Sequence, residues 1–245
     1  MQQILIIGAT SAIAQRVACT YAKQGAALFL VGRNALQLDI VKADVIAQGA
    51  NRVECYAWDA HALDKQSMLL DKAQQFLGQI DVALIAYGSL PHQQQCEQDV
   101  ALTLRELQTN AISVIALLSE LANRLIAQKS GTIAVISSVA GDRGRGSNYV
   151  YGSAKAAVST FLQGLRARLA KHNIHVLTVK PGFVDTPMTA HLKKSALFAS
   201  PTKVANDIIL AIQKKRDTLY TPNFWQPIML IIKCLPERIA KRMNF

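Results

Sequence analysis

Short runs of β-branched or leucine-rich residues recur along the chain at positions 3–7, 27–31, 52–57, 81–86, 132–137 and 174–180, separated by longer helix-compatible segments. This alternation constrains the fold most. Parallel neighbours need a long crossover, usually a helix, whereas antiparallel ones can be joined by a two-residue turn. The runs are also apolar at consecutive positions rather than at every second one, which suits strands covered on both faces. The reading is a single α/β domain, a doubly wound parallel sheet of about seven strands with helices on both faces. With 245 residues, 51% of them hydrophobic, the chain can fill one such core. We place the main domain at 1–221 and a basic amphipathic C-terminal appendix at 222–245.

In an open parallel sheet the ligand crevice lies beyond the carboxyl ends of the strands. After the first run comes Gly8-Ala9-Thr10-Ser11-Ala12-Ile13-Ala14. Small side chains there let backbone N–H groups and a helix N-terminus approach a pyrophosphate, which makes Gly8, Thr10, Ser11, Ala12 and Ile13 candidate cofactor contacts. An ordinary strand-to-helix turn is the alternative. The second run ends Val31-Gly32-Arg33-Asn34, without the carboxylate that would hold a ribose 2′-hydroxyl. Arg33 suits a 2′-phosphate, so NADP(H) is expected ahead of NAD(H), unless Arg33 is only a solvated loop residue. Asp59 is expected to accept from an adenine amino group or to cap a helix near Ala62.

Tyr151-Gly152-Ser153-Ala154-Lys155 opens a periodic helix with apolar Val158, Phe161, Leu162, Leu165 and Leu169. A spacing of four puts Tyr151 and Lys155 on one helical face. An ammonium there favours the phenolate and is expected to draw the Tyr pKa down from about 10 toward working pH. Ser138, thirteen residues upstream of Tyr151, closes the fifth run at the same rim, where its hydroxyl could donate to a carbonyl oxygen.

At these positions, and over about residues 3–188, the sequence resembles the short-chain dehydrogenase/reductase superfamily. The resemblance implies a Rossmann-type fold and hydride transfer between a nicotinamide cofactor and a carbonyl or alcohol. It also implies that Tyr151 is the acid, Ser138 orients the carbonyl, Lys155 holds the nicotinamide ribose and lowers the Tyr pKa, and Asn110 supports a proton-relay water. Pro181-Gly182-Phe183-Val184-Asp185-Thr186 matches the segment after the sixth strand, where a main-chain group near Val184 and the Thr186 hydroxyl would hold the carboxamide. Two departures stand out. Alanines occupy positions 12 and 14, and the usual Asn-Ala-Gly after the fourth strand is Ala86-Tyr87-Gly88, which places a phenol near the adenosine ribose. Relatives pair through the Tyr-bearing helix and its predecessor, here about 109–127, so a homodimer or homotetramer is implied.

Between Ser138 and Tyr151 runs Gly141-Asp142-Arg143-Gly144-Arg145-Gly146. Arg143 and Arg145 suit a substrate phosphate; solvated or salt-bridged loop arginines are the alternative. The net charge is +11, yet residues 191–245 hold ten bases and three acids, so that end carries +7 of it. The asymmetry argues against a nucleic-acid binder. In the appendix, Phe224 and Trp225 precede an apolar run, with bases after it. Two short helices starting near Pro227 and Pro236 are expected, resting on an anionic membrane or swapped onto a partner subunit. The run is too short to span a bilayer, which takes about 20 residues. This loop and tail are similar to the subgroup of decaprenylphosphoryl-ketopentose reductases, which implies a keto-sugar or lipid-linked phosphate substrate. His191 and Lys193 are expected over the pocket or in solvent.

Cys19, Cys55, Cys96 and Cys234 are far apart, with no CxxC pair, so neither a metal site nor a disulfide framework is expected. The first apolar run begins almost at Met1, leaving no room for a secretory signal, and a cytoplasmic protein is expected. A non-catalytic NADP-binding scaffold that recruits a partner through the tail is the competing function.

Overall fold

A computed structural model describes residues 1–242, so the last three residues of the appendix lie outside the described residues. Seven parallel strands form one sheet in the order β3-β2-β1-β4-β5-β6-β7. They are β1 (Gln3–Ile7), β2 (Ala27–Gly32), β3 (Arg52–Ala57), β4 (Val82–Ile85), β5 (Thr132–Ile136), β6 (His175–Pro181) and β7 (Thr218–Thr221). Six coincide with the apolar runs. The seventh is four residues long and only half buried, too short to stand out as a run, and it forms by pairing with β6 from Thr178 to Pro181.

The crossovers are α1 (Ala12–Ala22), α2 (Ala35–Ala47), α3 (Gln66–Leu77), the continuous stretch α5 (Val100–Leu107) to α6 (Ser113–Gln128), α7 (Tyr149–Leu169) and α8 (Pro201–Gln213). The Gln-rich stretch is a short helix, α4 (Gln93–Gln98). Side-chain oxygens start several of them: Ser11 accepts from Ala14 N and Asn34 from Gln37 N, satisfying N–H groups that a first turn leaves without partners. Ile4 and Ile6 pack with α1, α2 and α8, whereas Leu5 and Ile7 pack with α3, α6 and α7. Alternate residues of one strand thus feed two cores, the reason its sequence is apolar throughout.

From β1 the chain winds outward to β3, then returns to β4 on the other side of β1. The ends of β1 and β4 diverge there, opening the crevice. The appendix forms two helices, α9 (Trp225–Cys234) with Pro227 in its first turn and α10 (Glu237–Ala240) after Pro236.

Candidate active site

A cleft of about 900 Å³ runs along the carboxyl ends of the strands. At its β1 end Gly8 has φ +89°, and a Cβ there would lie 2.5 Å from Tyr87 N. Glycine is needed where the ends of β1 and β4 touch. No such need exists at Ala12, which lines the cleft, or at Ala14, which is fully buried on the inner face of α1. The alanines therefore leave the turn intact. Thr10, Ser11 and Ile13 line the same end, and Thr10, Arg33, Asn34 and Gln37 surround a recess beside it. Asp59 also lines the cleft; its carboxylate accepts from His61 N at 2.9 Å, a local turn rather than a helix cap.

The phenol of Tyr87 does not face the adenosine end. It turns into the core, 3.1 Å from Ser113 Oγ and edge-on to Trp58, and burial pushes its pKa up. Its backbone, with Ala86 and Gly88, stays at the cleft. The correction follows from packing, since a ring between Trp58 and α6 buries more apolar area than one at the rim.

Ser138 follows β5 in extended conformation, and its Oγ accepts from Ala140 N at 3.1 Å. Residues Val139–Gly141 form a single 3₁₀ turn that lies against α7, backbone to backbone. A Cβ at Gly141 would be 2.7 Å from Lys155 C, and one at Gly152 would be 2.9 Å from Ala140 O. These two glycines, close in sequence to Ser138 and Tyr151 but not counted among the candidates, let Tyr151 approach Ser138. Ser137 Oγ locks the arrangement through Lys155 O at 3.1 Å and Ser159 Oγ at 2.8 Å.

Tyr151 and Lys155 converge as their spacing requires. The Lys155 ammonium is 5.7 Å from the Tyr151 ring centroid and donates to Ile136 O at 3.1 Å. Their protonation differs from expectation. Burial pushes the Tyr151 phenol up to about 12, opposed by a smaller downward pull from its hydrogen bond with Ser138. Burial also lowers Lys155 to about 8. Desolvation therefore outweighs the ammonium here, and the phenol keeps its proton at neutral pH.

Asn110 sits in a π-helical turn, Gln108–Ile112, and is fully buried. Its Oδ1 accepts from Ser89 N at 3.0 Å, and its Nδ2 donates to Ser89 Oγ and to the Glu106 carboxylate, at 3.1 and 3.2 Å. The Asn110 amide thus reaches the site indirectly, by holding the Gly88-Ser89 backbone. A Cβ at Gly88 would be 2.7 Å from Asn110 Oδ1 and 3.5 Å from Lys155 Nζ.

Past β6, Pro181, Gly182, Val184 and Thr186 line the cleft, and Val184 bridges to Ala199. Thr186 also faces Thr189, whose hydroxyl accepts from Thr186 N. Of the two loop arginines only Arg145 lines the cleft, where burial lowers its pKa. Arg143 points to the far side, donating to Lys233 O, Leu235 O and Glu237 Oε2, so it is no substrate-phosphate ligand in this arrangement. The carbonyls at the end of α9 compete for its guanidinium, and neighbours in sequence give no sign of them. His191 lines the cleft with its ring 5.5 Å from that of His92, while Lys193 is exposed. Sequence reasoning missed Trp58, His92 and Trp225 on the lining.

The family model for short chain dehydrogenase matches residues 2–196. A protein named uncharacterized oxidoreductase from Mycobacterium tuberculosis is 32% identical over 240 residues, covering 98% of this chain and 96% of the relative. Another uncharacterized oxidoreductase, from the mprA 5′ region of Streptomyces coelicolor, is 30% identical over 244 residues, with 99% and 96% covered. The matched range spans the turn after β1, Ser138 and the Tyr151-Lys155 face, and the chain belongs to the short chain dehydrogenases, an oxidoreductase family.

Proposed function

We propose that this protein is an NADPH-dependent reductase that converts a ketone to an alcohol. The observation that carries the reading is a half-buried phenol, hydrogen-bonded to Ser138 and with the buried Lys155 ammonium 5.7 Å from its ring, at the mouth of a dinucleotide-sized crevice. The residues fit a nicotinamide dinucleotide, which the family binds. At Gly8 an added Cβ would meet Tyr87 N at 2.5 Å and at Gly88 it would meet Asn110 Oδ1 at 2.7 Å, so both crevice turns have room for glycine alone. The backbone from Gly8 to Ile13 would hold the pyrophosphate, Asp59 the adenine, and the Ala86-Tyr87-Gly88 backbone the ribose. Lys155 would hold the nicotinamide ribose, and Pro181, Gly182, Val184 and Thr186 the carboxamide. Arg33, in a recess with no carboxylate on its lining, would pair with a 2′-phosphate.

A nicotinamide cofactor, when bound, would supply the hydride. Ser138 donates to the carbonyl oxygen and orients it, and Tyr151 delivers its proton to that oxygen as negative charge develops. The phenolate left behind is stabilised by Lys155, which remains mostly protonated below about pH 8. Asn110 keeps the Gly88-Ser89 turn in place throughout. The substrate class we infer is a keto-sugar or a lipid-linked phosphate ester of one, with Arg145 facing the phosphate. Exposed Leu230, Ile231 and Ile239, together with Lys233, Arg238, Lys241 and Arg242, support contact of the appendix with an anionic membrane on the cytoplasmic side. The exposed small residues Ala157, Thr160 and Gly164 on α7 support pairing into a homodimer or homotetramer.

Tyr151→Phe tests the reading. Turnover of a panel of diketones and keto-sugars should fall by about 100- to 10,000-fold with NADPH binding retained. Undiminished turnover would exclude Tyr151 as the acid, whereas NADPH binding without turnover of any panel member by the unaltered chain would favour the NADP-binding scaffold. Arg33→Asp should erase the preference for NADPH over NADH; an unchanged ratio would mean that the 2′-phosphate is held elsewhere.

A further inference from the structure

The appendix is part of the cleft. α9 turns Trp225 and Met229 inward against Val139, the neighbour of Ser138, with Phe183 and Tyr220 packed alongside. The indole lies directly on Gly182, where an added Cβ would fall 1.9 Å from Nε1 and 2.1 Å from Cε2. Phe183 meets the same ring edge-on, with centroids 5.6 Å apart. Trp225 is 6% exposed and lines the cleft, together with Phe183, Met188 and Leu192.

The groups that hold α9 there come from the loop after Ser138. The Asp142 carboxylate, almost fully buried, pairs with Lys180 Nζ on β6 at 2.5 Å and accepts from Tyr220 Oη on β7 at 2.7 Å. The next residue, Arg143, donates to Lys233 O at 3.2 Å and Leu235 O at 2.9 Å, and to Glu237 Oε2 at 2.7 Å. Carbonyls at a helix C-terminus lack intrahelical donors, so a cation there satisfies both their hydrogen bonding and the helix dipole. The planar fork of arginine fixes direction as well as distance.

We propose that Arg143 is a positioning residue that docks α9 by its C-terminal carbonyls, and that Trp225, so placed, is a specificity-determining residue at the substrate end of the cleft. Asp142 anchors the docking loop to β6 and β7. The aromatic wall accepts an apolar or ring portion next to the carbonyl carbon and limits its bulk. This inference rests on the reductase reading, because the selected molecule is the ketone.

The test compares NADPH-dependent reduction of diacetyl, a small diketone, and benzil, a bulky one, by the full chain. Trp225→Ala should raise the benzil-to-diacetyl ratio of kcat/KM by about tenfold, the scale of one apolar pocket contact. Arg143→Ala should shift the ratio the same way by a smaller factor, Arg143→Lys less again, and NADPH affinity should hold within about twofold of the unaltered chain. An unchanged ratio in Trp225→Ala, or an Arg143→Ala effect confined to NADPH affinity, overturns the proposal. A second measurement needs no turnover. The chain has two tryptophans, so Trp58→Phe leaves Trp225 as the single indole reporter. On that background Arg143→Ala, and the milder Glu237→Gln at a surface position, should increase quenching of Trp225 fluorescence by acrylamide. Unchanged quenching in both overturns the docking role. Turnover of neither diketone by the unaltered chain would defeat the reductase reading and Trp225's role with it, leaving the docking role to the quenching result.

Discussion

The two ends of the cleft are built by different means. At the proposed catalytic end, Tyr151 and Lys155 share one face of α7 because they are four residues apart, and Ser138 stands at the end of the strand just before. At the substrate end, the groups that meet are distant in sequence: Arg143 and Lys233 are 90 positions apart, and Asp142 and Tyr220 are 78. One end follows from helical periodicity and strand order. The other exists only when β6, β7 and α9 have found the loop after β5. A local device tolerates distant change, whereas a convergent one fails when any contributor is lost.

Three experiments probe that difference. The largest effect is expected at Asp142→Asn, which leaves Lys180 as a buried cation without its counter-charge. Denaturant unfolding should show a loss of about 3–5 kcal/mol, as for other broken buried pairs. A change below about 1 kcal/mol, the scale of exposed ion pairs, would mean that the substrate end is not held through this carboxylate. Next comes Gly182→Ala, whose methyl group would overlap the Trp225 ring. Relief by shifting α9 should cost about 1–3 kcal/mol, as overpacking does, and should make Trp225 more accessible to a quencher. Full stability with an unmoved indole would break the distinction between the two ends.

The smallest effect concerns pH and belongs to the catalytic end. Lys155 titrates near 8 in the folded chain and at the ordinary lysine value of 10.5 once unfolding exposes it to water, so between those values the unfolded chain holds a proton that the folded chain has released. Stability from this group therefore rises with pH over about 8 to 10.5. Tyr151, raised to about 12, acts in the opposite direction above about 10, where the unfolded phenol ionises and the folded one does not, so it lowers stability as pH rises. Unfolding free energies at pH 8 and 10 should accordingly differ more in the unaltered chain than in Lys155→Met. Parallel profiles would show that Lys155 is not desolvated by its site.

Individual residues show where legibility ends. The sheet could be read because strands buried on both faces have no polar alternation, as in Leu28 to Leu30, and β7 was missed because four residues at an edge carry no such signal. Ser138, Tyr151 and Lys155 could be found because a strand end and a helical turn fix their relative places. Gly141 and Gly152 were a usable but overlooked signal, since small residues beside reactive ones mark close backbone approach. Arg143 and Arg145 look equivalent in sequence, with one glycine between them, yet they part on folding.

From the sequence alone came the order of strands and helices, the crevice at their ends and the face that carries the phenol and ammonium. Each depends on periodicity or on adjacency along the chain, which a backbone obeys locally. The tertiary structure decided which way Arg143 and Tyr87 point, that the phenol stays protonated, and that α9 walls the cleft. These outcomes depend on desolvation and on which distant donor or acceptor the packing brings to a buried group, quantities that exist only once the whole chain has packed.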